Sequence, residues 1–498
     1  MTAEETGNGP GNAETTQHGR RPLRRRVSRS RELAEVISEV RRSGFCVHPI
    51  RLRSTSPGVN HKRVGGHEIA VACRDRRRAV CPACAHTYAG DAYQVIATGL
   101  RGGKGVPASV ATHPRAFVTL TAGSYGAVHR ATTQSSSSRS SGSACLPRRD
   151  RPVCPHGRAA SCGERHSASD PKVGEPLCPE CFDYRGAILF NAQVSKLWNA
   201  TRIATVRHLA RQASISERQL RCSVRLAFFK TVEFQRRGLI HLHVIVRADG
   251  VASKEDEGRA DGVARHETEC RADGVEGSGD TGDYEGDEPT SKASSDRRLP
   301  PPEWVTPASL ICAVREAVSC TTIPTPTYPG GTDDRMGWGP QVDARPFDSA
   351  STADEVAAIA RYTAKYVSKG SESSGALARR VVSLIALEEA GLSAHVERLV
   401  ATAWELGGMP ELAGLNLRDH AHTFGFGGYV SSKSRGYSTT LGALRQARAK
   451  FRAIQGEADD SGEEEEAVSW RYVGRGYGHP DADRLAHRLA DADRGRRR

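Results

Sequence analysis

Long apolar runs and aromatic side chains are scarce in this sequence. Its 498 residues are 38% hydrophobic and only 6% aromatic, which is low for a globular chain. No apolar run approaches the ~20 residues that a membrane-spanning helix needs. The start of the chain is polar and acidic, unlike a signal peptide. We therefore expect a cytoplasmic protein with no membrane partner, in which loops, insertions and tails are extensive.

Basic charge and cysteine, by contrast, are plentiful. The formal net charge is +13, which suits a polyanionic partner such as nucleic acid. The 13 cysteines are not expected to form structural disulfides in a reducing compartment, where clustered cysteines more often hold metal. Charge and cysteine together point to nucleic-acid binding and to bound Zn²⁺.

Composition divides the chain into five predicted regions. They are a disordered basic arm (1–30), an N-terminal helical and zinc-knuckle region (31–112), a core (113–370), a C-terminal helical, DNA-binding region (371–450) and a charged tail (451–498). Four segments are typical of insertions or linkers, namely Thr132–Ser143, Arg247–Gly282, Thr322–Gly337 and Gly456–Glu466. Within the core we expect a zinc-binding insertion at 145–185 and a disordered loop at 247–300.

The expected loop contains a short repeat. Arg-Ala-Asp-Gly-Val occurs at 247–251, 259–263 and 271–275. A polar, Gly-rich repeat of this length is too short to build a core. We therefore expect all three copies to lie in a surface loop that leaves the sheet edge.

The strongest chemical signal is a predicted β-hairpin with its turn at 236–238. Side chains alternate between the faces of a strand, so His241 and His243 share one face while Leu242 points to the other. Glu233 lies on the incoming strand and can pair across the hairpin onto the histidine face. Two imidazoles and a carboxylate on one rigid face make an open site for a divalent metal.

A metal at this position suits phosphodiester chemistry. Bound Mg²⁺ or Mn²⁺ neutralises a phosphate oxygen as a Lewis acid, and Glu233 supplies the charge that attracts a hard cation. Arg236 and Arg237 occupy the turn beside the metal. We expect them to contact DNA phosphates rather than to be only a solvated turn.

A predicted helix over Asp354–Ser368 supplies candidate nucleophiles. Tyr362 and Tyr366 are four residues apart and therefore share a face. Lys365 and Lys369 each follow a tyrosine by three residues and can counter charge on a phosphate or phenolate. A phenol with a pKa of ~10 needs such help to lose its proton. Metal plus tyrosine points to strand cleavage through a covalent protein–DNA bond, with the choice between the two tyrosines open.

Two groups of cysteines have the spacing of structural zinc ligands. In the first, the CxxC pair Cys81 and Cys84 has Cys73 and Cys46 upstream, and buried free thiols are an equal alternative. The second group offers six candidates: Cys154, His156, Cys162, His166, Cys178 and Cys181. We favour zinc bound by Cys154, Cys162, Cys178 and Cys181, with His166 as the substitute ligand. One or two zinc ions are therefore expected.

Predicted strands flanked by helices, with an antiparallel hairpin at the centre, indicate an α+β fold. A further strand is predicted over Ala116–Thr121 and a helix over Asn191–Ala213.

These motifs resemble those of a known family. The His-Leu-His strand is similar to the His-hydrophobic-His motif of HUH endonucleases, the rolling-circle initiators and relaxases. The chain resembles more closely the replication initiators of actinomycete plasmids and integrative elements. The matching stretches lie, in order, at 81–84, 102–107, 113–114, 117–121, 154–157, 233–243, 338–345, 362–369 and 433–440.

The resemblance implies a site-specific nickase with an HUH domain at 113–370, built on a ferredoxin-like or RRM-like palm. Such an enzyme cuts one strand at an origin, stays joined to the 5′-phosphate and leaves a 3′-OH for a polymerase. It implies Glu233, His241 and His243 as metal ligands and Tyr366 as the nucleophile. Tyr362 fits a second nucleophile or a packing residue.

The implied partners are origin DNA, single-stranded or extruded as a hairpin, and the host helicase and DNA polymerase. Relaxases and single-strand transposases of the HUH class share this chemistry, but relaxases usually place the tyrosine before the histidines. A zinc-containing DNA-binding regulator without catalysis is the alternative from another class. It accounts for the charge and the cysteines but not for the tyrosine helix.

Overall fold

The computed structural model describes residues 23–55, 68–132, 144–150, 152–251, 298–332, 334–347, 352–454 and 469–496. The chain forms two compact units, one of 1–73 with 464–498 and the other of 74–463. Backbone pairing between strands from the two ends of the chain joins them into the smaller unit. The five regions expected from composition stay a prediction.

The elements are numbered here in chain order. The helices are α1 (Leu23–Arg42), α2 (Pro82–Arg101), α3 (Tyr184–Gln212), α4 (Glu217–Ser223), α5 (Pro307–Cys320), α6 (Ala353–Val367), α7 (Ile385–Glu388), α8 (Ala394–Leu406), α9 (Leu441–Ile454) and α10 (Pro480–Arg496). The strands are β1 (Ile50–Ser54), β2 (Glu68–Val71), β3 (Arg115–Ala122), β4 (Val224–Phe234), β5 (Ile240–Gly250), β6 (Thr322–Pro324), β7 (Arg335–Phe347), β8 (Ser431–Lys433) and β9 (Trp470–Arg475).

The smaller unit is a three-stranded antiparallel sheet with α1 and α10. Strand β1 lies between β2 and β9, so part of the expected charged tail is sheet. The Tyr477 hydroxyl donates a 2.6 Å hydrogen bond to the Cys46 carbonyl and lies 2.6 Å from the Ser43 hydroxyl. Helix α1 already begins at Leu23, inside the expected disordered arm, while residues 1–22 of that arm lie outside the described residues.

The larger unit is built on a six-stranded sheet in the order β6-β7-β3-β5-β4-β8, with every pair antiparallel. The α+β class and the antiparallel central hairpin are thereby confirmed. Strand β8 comes from the region 371–450, which adds an edge strand to this sheet. Strands β6 and β7 likewise occupy parts of the Thr322–Gly337 stretch that we expected to be a linker.

Apolar side chains cover both faces of the large sheet. On one face, Val118, Leu242 and Val244 pack in a core with α3 and α5. On the other, Phe229 and Ile245 pack with α2, α6 and α9. The sheet is therefore a middle layer between helices, and α6 lies on the face that carries the two histidines.

The first copy of the repeat is a core strand rather than a surface loop. Residues 247–250 belong to β5, and Arg247 is fully buried. Its guanidinium forms two hydrogen bonds with the Asp249 carboxylate, at 2.6 and 2.7 Å, and His113 Nδ1 lies 2.7 Å from the same carboxylate. Loop composition gave the wrong prediction here because this buried pairing satisfies polar residues that otherwise belong in solvent. The other two copies, the Ser/Thr-rich run at 133–143 and the acidic run lie outside the described residues.

Candidate active site

The predicted hairpin is present, with β4 and β5 joined by a short turn. Glu233 pairs with His241 and Thr231 with His243 in the strand register, which places both histidines and the carboxylate on one face. Gly238 has φ +79°, a conformation that glycine adopts without strain. Leu242 lies in the opposite core, as the alternation predicts.

His241 is held between the hairpin turn and the neighbouring strand. The side-chain nitrogen Nε2 of Gln235 lies 3.0 Å from His241 Nδ1, and the Thr121 hydroxyl lies 3.5 Å from His241 Nε2. Burial lowers the pKa of His241 to about 4, with the nearby His243 acting in the same direction. The ring is therefore neutral at physiological pH, as a metal ligand must be.

His243 and Glu233 form the centre of the site. His243 Nε2 lies 3.1 Å from Glu233 Oε2, and Lys369 Nζ lies 3.4 Å from Glu233 Oε1. Burial raises the pKa of Glu233, but its hydrogen bond with His243 and the Lys369 charge bring it below the ordinary value. Glu233 is therefore a carboxylate beside two imidazole rings whose centroids lie 4.9 Å apart.

This donor set fits a divalent cation, because it offers a carboxylate and imidazole nitrogens. In the described ranges, three Cys/His clusters have all their ligand atoms within 4.8 Å of one another. The set of Glu233, His241 and His243 is not one of them. Glu233 instead shares its oxygens between His243 and Lys369, so the carboxylate would have to exchange Lys369 for a metal.

Helix α6 carries both tyrosines onto the histidine face. Its first turn is fixed by a capping box in which the Thr352 hydroxyl accepts from the Glu355 amide at 3.2 Å and the Glu355 carboxylate accepts from the Thr352 amide at 2.8 Å. The Tyr366 ring stacks on His243 with centroids 4.4 Å apart. The Tyr362 ring meets His243 edge-on at 5.5 Å.

The two tyrosines differ in exposure. Tyr366 is buried, whereas Tyr362 is 44% exposed. Burial, the hydrogen bond with Tyr362 and the negative Glu233 all raise the pKa of Tyr366 far above its ordinary value. Lys369 Nζ lies 4.7 Å from the centroid of the Tyr366 ring. Lys365 is exposed, on the solvent side of the helix.

The turn arginines contact protein carbonyls. Arg236 Nη1 donates to the carbonyls of Ala168 at 3.1 Å and Asp170 at 2.8 Å. Arg237 donates to the Gln235 side chain at 2.8 Å and to the carbonyls of Gly123 and Ala122 at 3.3 Å. These bonds hold the turn against the neighbouring segments, and phosphate contact by either arginine stays a prediction.

The second cysteine group forms two clusters rather than one. Cys162 and His166 meet His129 and Cys145, whereas Cys154, Cys178 and Cys181 meet His156. Of the predicted set of Cys154, Cys162, Cys178 and Cys181, Cys162 therefore lies in a different cluster from the other three. His129 was missed because the Ser/Thr-rich run separates it in sequence from its three partners, and Cys145 because it has no second cysteine or histidine at ligand spacing beside it.

The first cysteine group is divided between the two units. Cys46 and Cys73 belong to the smaller unit, where the Cys73 amide donates to Cys46 Sγ at 3.3 Å. Cys81 and Cys84 belong to the larger unit and lie at the start of α2. A zinc site made of all four stays a prediction.

Other residues around the histidines were not singled out from sequence. Thr119 and Thr121 alternate along β3 with side chains directed at His243 and His241. Arg345 on β7 faces the site from the next strand, since it pairs with Phe117. Strand alternation within the 117–121 and 338–345 motifs is the signal that identifies them.

The depressed pKa of His241 predicts a pH-dependent stability. Between its folded pKa of about 4 and its ordinary 6.5, the unfolded chain binds a proton that the folded chain does not, so lowering the pH in this window lowers the free energy of unfolding. Urea unfolding of metal-free protein at pH 7 and pH 5 measures the loss. The decrease in the free energy of unfolding between pH 7 and pH 5 should be smaller in His241→Gln than in the wild type. In His479→Gln, which replaces an exposed histidine, it should equal the wild-type decrease. An equal loss in all three proteins would contradict the prediction.

Comparison with known proteins identifies the class. A family model described as "Replication initiator protein, pSAM2" matches residues 32–491. The chain belongs to this replication initiator family, which confirms the resemblance to initiators of actinomycete elements. A replication initiator protein of Streptomyces ambofaciens is 34% identical over 475 residues, covering 91% of this chain and 89% of that protein. No solved structure matches the chain, and none of the helices in the described ranges has the length and apolarity to cross a bilayer.

Proposed function

We propose that this protein starts replication by nicking one strand of origin DNA with Tyr366 and staying joined to it. The observation that carries the proposal is the stacking of the buried Tyr366 ring on His243 at 4.4 Å, beside Glu233 and Lys369. The position of these groups under one helix supports a single reaction centre of the HUH type.

The chemistry is a transesterification. The Tyr366 oxygen bonds to phosphorus, the bond from phosphorus to the 3′ oxygen breaks, and the 3′ oxygen takes up a proton to leave a 3′-OH. The phenol must give up its own proton, which its raised pKa opposes. Lys369, over the Tyr366 ring and beside Glu233, is a cation placed to stabilise the developing charge.

A divalent metal, Mg²⁺ or Mn²⁺, would be held by Glu233, His241 and His243. When bound it would polarise the phosphate and offset charge on the pentacoordinate phosphorus. The protein's own part is to keep the His241 ring neutral, through burial that lowers its pKa, and to orient both imidazoles through Gln235, Thr119 and Thr121. Because Lys369 would lose Glu233 to the metal, it would then be free for the phosphate or the phenolate.

The proposed substrate is origin DNA in single-stranded or extruded form. The excess of basic residues in the chain supports a polyanionic partner. A 3′-OH left by the nick would be extended by a host DNA polymerase, with a host helicase opening the duplex. Tyr362, 5.0 Å from Tyr366 between ring centroids, is the candidate for a second strand transfer.

The test is a covalent capture assay. The protein is incubated with Mn²⁺ or Mg²⁺ and single-stranded DNA from the origin of its own element, then run on a denaturing gel. A protein–DNA adduct that disappears with a chelator is the expected result. Tight duplex binding with no adduct on any origin fragment would contradict nicking and favour a non-catalytic regulator.

A further inference from the structure

We propose that the segment between β3 and α3 holds two separate zinc ions, each with four protein ligands, and that the first of them fixes the turn of the histidine hairpin. The first site consists of His129, Cys145, Cys162 and His166, and the second of Cys154, His156, Cys178 and Cys181. Both lie in the larger unit. The inference does not depend on strand cleavage.

The first site has the dimensions of a tetrahedral zinc centre. Bonds of about 2.0 Å to nitrogen and 2.3 Å to sulfur place neighbouring ligand atoms roughly 3.3–3.8 Å apart. His129 Nδ1 lies 3.0 Å from His166 Nε2, Cys162 Sγ lies 3.5 Å from the same nitrogen, and Cys145 Sγ lies 3.9 Å from His129 Nδ1. Two thiols and two imidazoles converge on one point.

The groups around the first site orient its ligands for metal. The second nitrogen of His166, Nδ1, lies 2.8 Å from the Asp170 carboxylate, an arrangement typical of zinc-bound histidine. The Arg130 amide donates to Cys145 Sγ at 3.1 Å, a bond that favours a thiolate. Cys145, Cys162 and His166 are buried, so the site is closed like a structural one.

Asp170 links this site to the hairpin. Its side chain holds the His166 ring, while its main-chain carbonyl accepts from Arg236 in the turn. The segment also touches the turn at Gly174, where an added Cβ would lie 2.6 Å from the Arg236 backbone. Metal at the first site would therefore hold the chain against which the turn of the two histidine-bearing strands rests.

The second site is a three-cysteine, one-histidine cluster at the start of α3. His156 Nδ1 lies 3.2 Å from Cys181 Sγ and 3.7 Å from Cys178 Sγ. The Cys154 thiol receives backbone hydrogen bonds from Arg158 and His156. Two residues after Cys181, the Asp183 carboxylate caps α3 by accepting from the Gly186 amide at 2.8 Å, so this site anchors the beginning of that helix.

The segment also needs a cross-link, such as a bound metal, to stabilise its fold. Among its described residues between Ala122 and Tyr184, the buried apolar side chains other than cysteine are Val128, Pro176 and Phe182. So small an apolar core does not offset the entropy of ordering the loops. All the ligand cysteines are free thiols, and thiolate with imidazole is a ligand set that selects zinc among common cellular metals. Metal binding would supply the missing folding free energy.

The test is the zinc content of the purified full-length protein and its variants, measured by inductively coupled plasma mass spectrometry. Cys145→Ser and Cys178→Ser should each lose one zinc per chain, and the double variant two. Cys312→Ser, at an exposed cysteine of α5 outside both clusters, should lose none. Two results would indicate a single site and overturn the proposal. One is a Cys145→Ser variant that keeps all its zinc. The other is a double variant with both Cys162→Ser and Cys178→Ser that loses only one zinc ion per chain.

Two further measurements separate the proposal from a folding defect. Native mass spectrometry of the unaltered chain should show at least two zinc ions, and fewer would overturn the proposal. Hydrogen exchange should increase at residues 235–239 in Cys145→Ser and stay near the wild-type rate there in Cys178→Ser. Equal protection of that turn in both variants would refute the link through Asp170. A failure to nick DNA with normal zinc content would overturn only the proposed function.

Discussion

Replacement of Tyr366 by phenylalanine is expected to abolish the covalent protein–DNA adduct, with a loss on the order of 10³-fold or more, because no other group replaces a missing nucleophile. The phenyl ring keeps the stacking on His243 at 4.4 Å. Only the hydroxyl is removed, so the fold and DNA binding should be retained. The measurement is the adduct yield on a denaturing gel, with DNA affinity measured in parallel.

The matched control is Tyr362→Phe, one helical turn away. Tyr362 is 44% exposed and its hydroxyl is one cause of the raised pKa of Tyr366. Its loss should leave first-strand cleavage within about tenfold of the wild type. An adduct that persists in Tyr366→Phe and disappears in Tyr362→Phe would transfer the role of nucleophile to Tyr362.

Replacement of Arg247 by methionine is expected to lower the free energy of unfolding by about 3–5 kcal/mol, the usual cost of removing one partner from a buried ion pair. Arg247 is fully buried and holds Asp249 through two hydrogen bonds. It also donates to the carbonyls of Gly436 and Tyr437, each at 3.1 Å. Without it, the buried Asp249 carboxylate keeps only the contact with His113 and loses its cationic partner, and these carbonyls lose a donor. The measurement is the urea midpoint at neutral pH.

Arg345→Met provides the control, because Arg345 pairs with Asp343 two residues away on a strand, as Arg247 does with Asp249. These side chains are 75% and 50% exposed, and an exposed pair contributes about 0–1 kcal/mol. A similar shift of the midpoint in both variants would mean that burial of the Arg247 pair is not what stabilises this part of β5.

The histidine hairpin shows how far sequence reasoning reaches. Alternation along a strand is a property of the backbone, so the shared face of His241, His243 and Glu233 follows from spacing alone. Helical spacing placed Tyr362 and Tyr366 together in the same way. What spacing does not give is the packing of α6 on that face. It also gives neither the burial of Tyr366 nor the contact between Lys369 and Glu233.

The cysteine clusters and the repeat show where this reasoning stops. Spacing along the sequence predicts that the nearby cysteines form one set, but the chain folds back so that His129 and Cys145 complete a first cluster and His156 completes a second. The first copy of the repeat has the composition of a loop, yet it is the end of a buried strand. In both cases the partners are brought together by contacts between distant parts of the chain, which local composition does not encode.

The sequence by itself determined the α+β class, the central hairpin, the alternation of its side chains and the family, because these depend on local periodicity and on motifs in a fixed order. Only the tertiary structure decided which thiols and imidazoles meet, which arginines are buried, and what the hairpin turn rests against. Those outcomes depend on which hydrogen-bond and ion-pair partners the buried charges and carbonyls have. The partners are brought together only when strands and loops distant in sequence pack against one another.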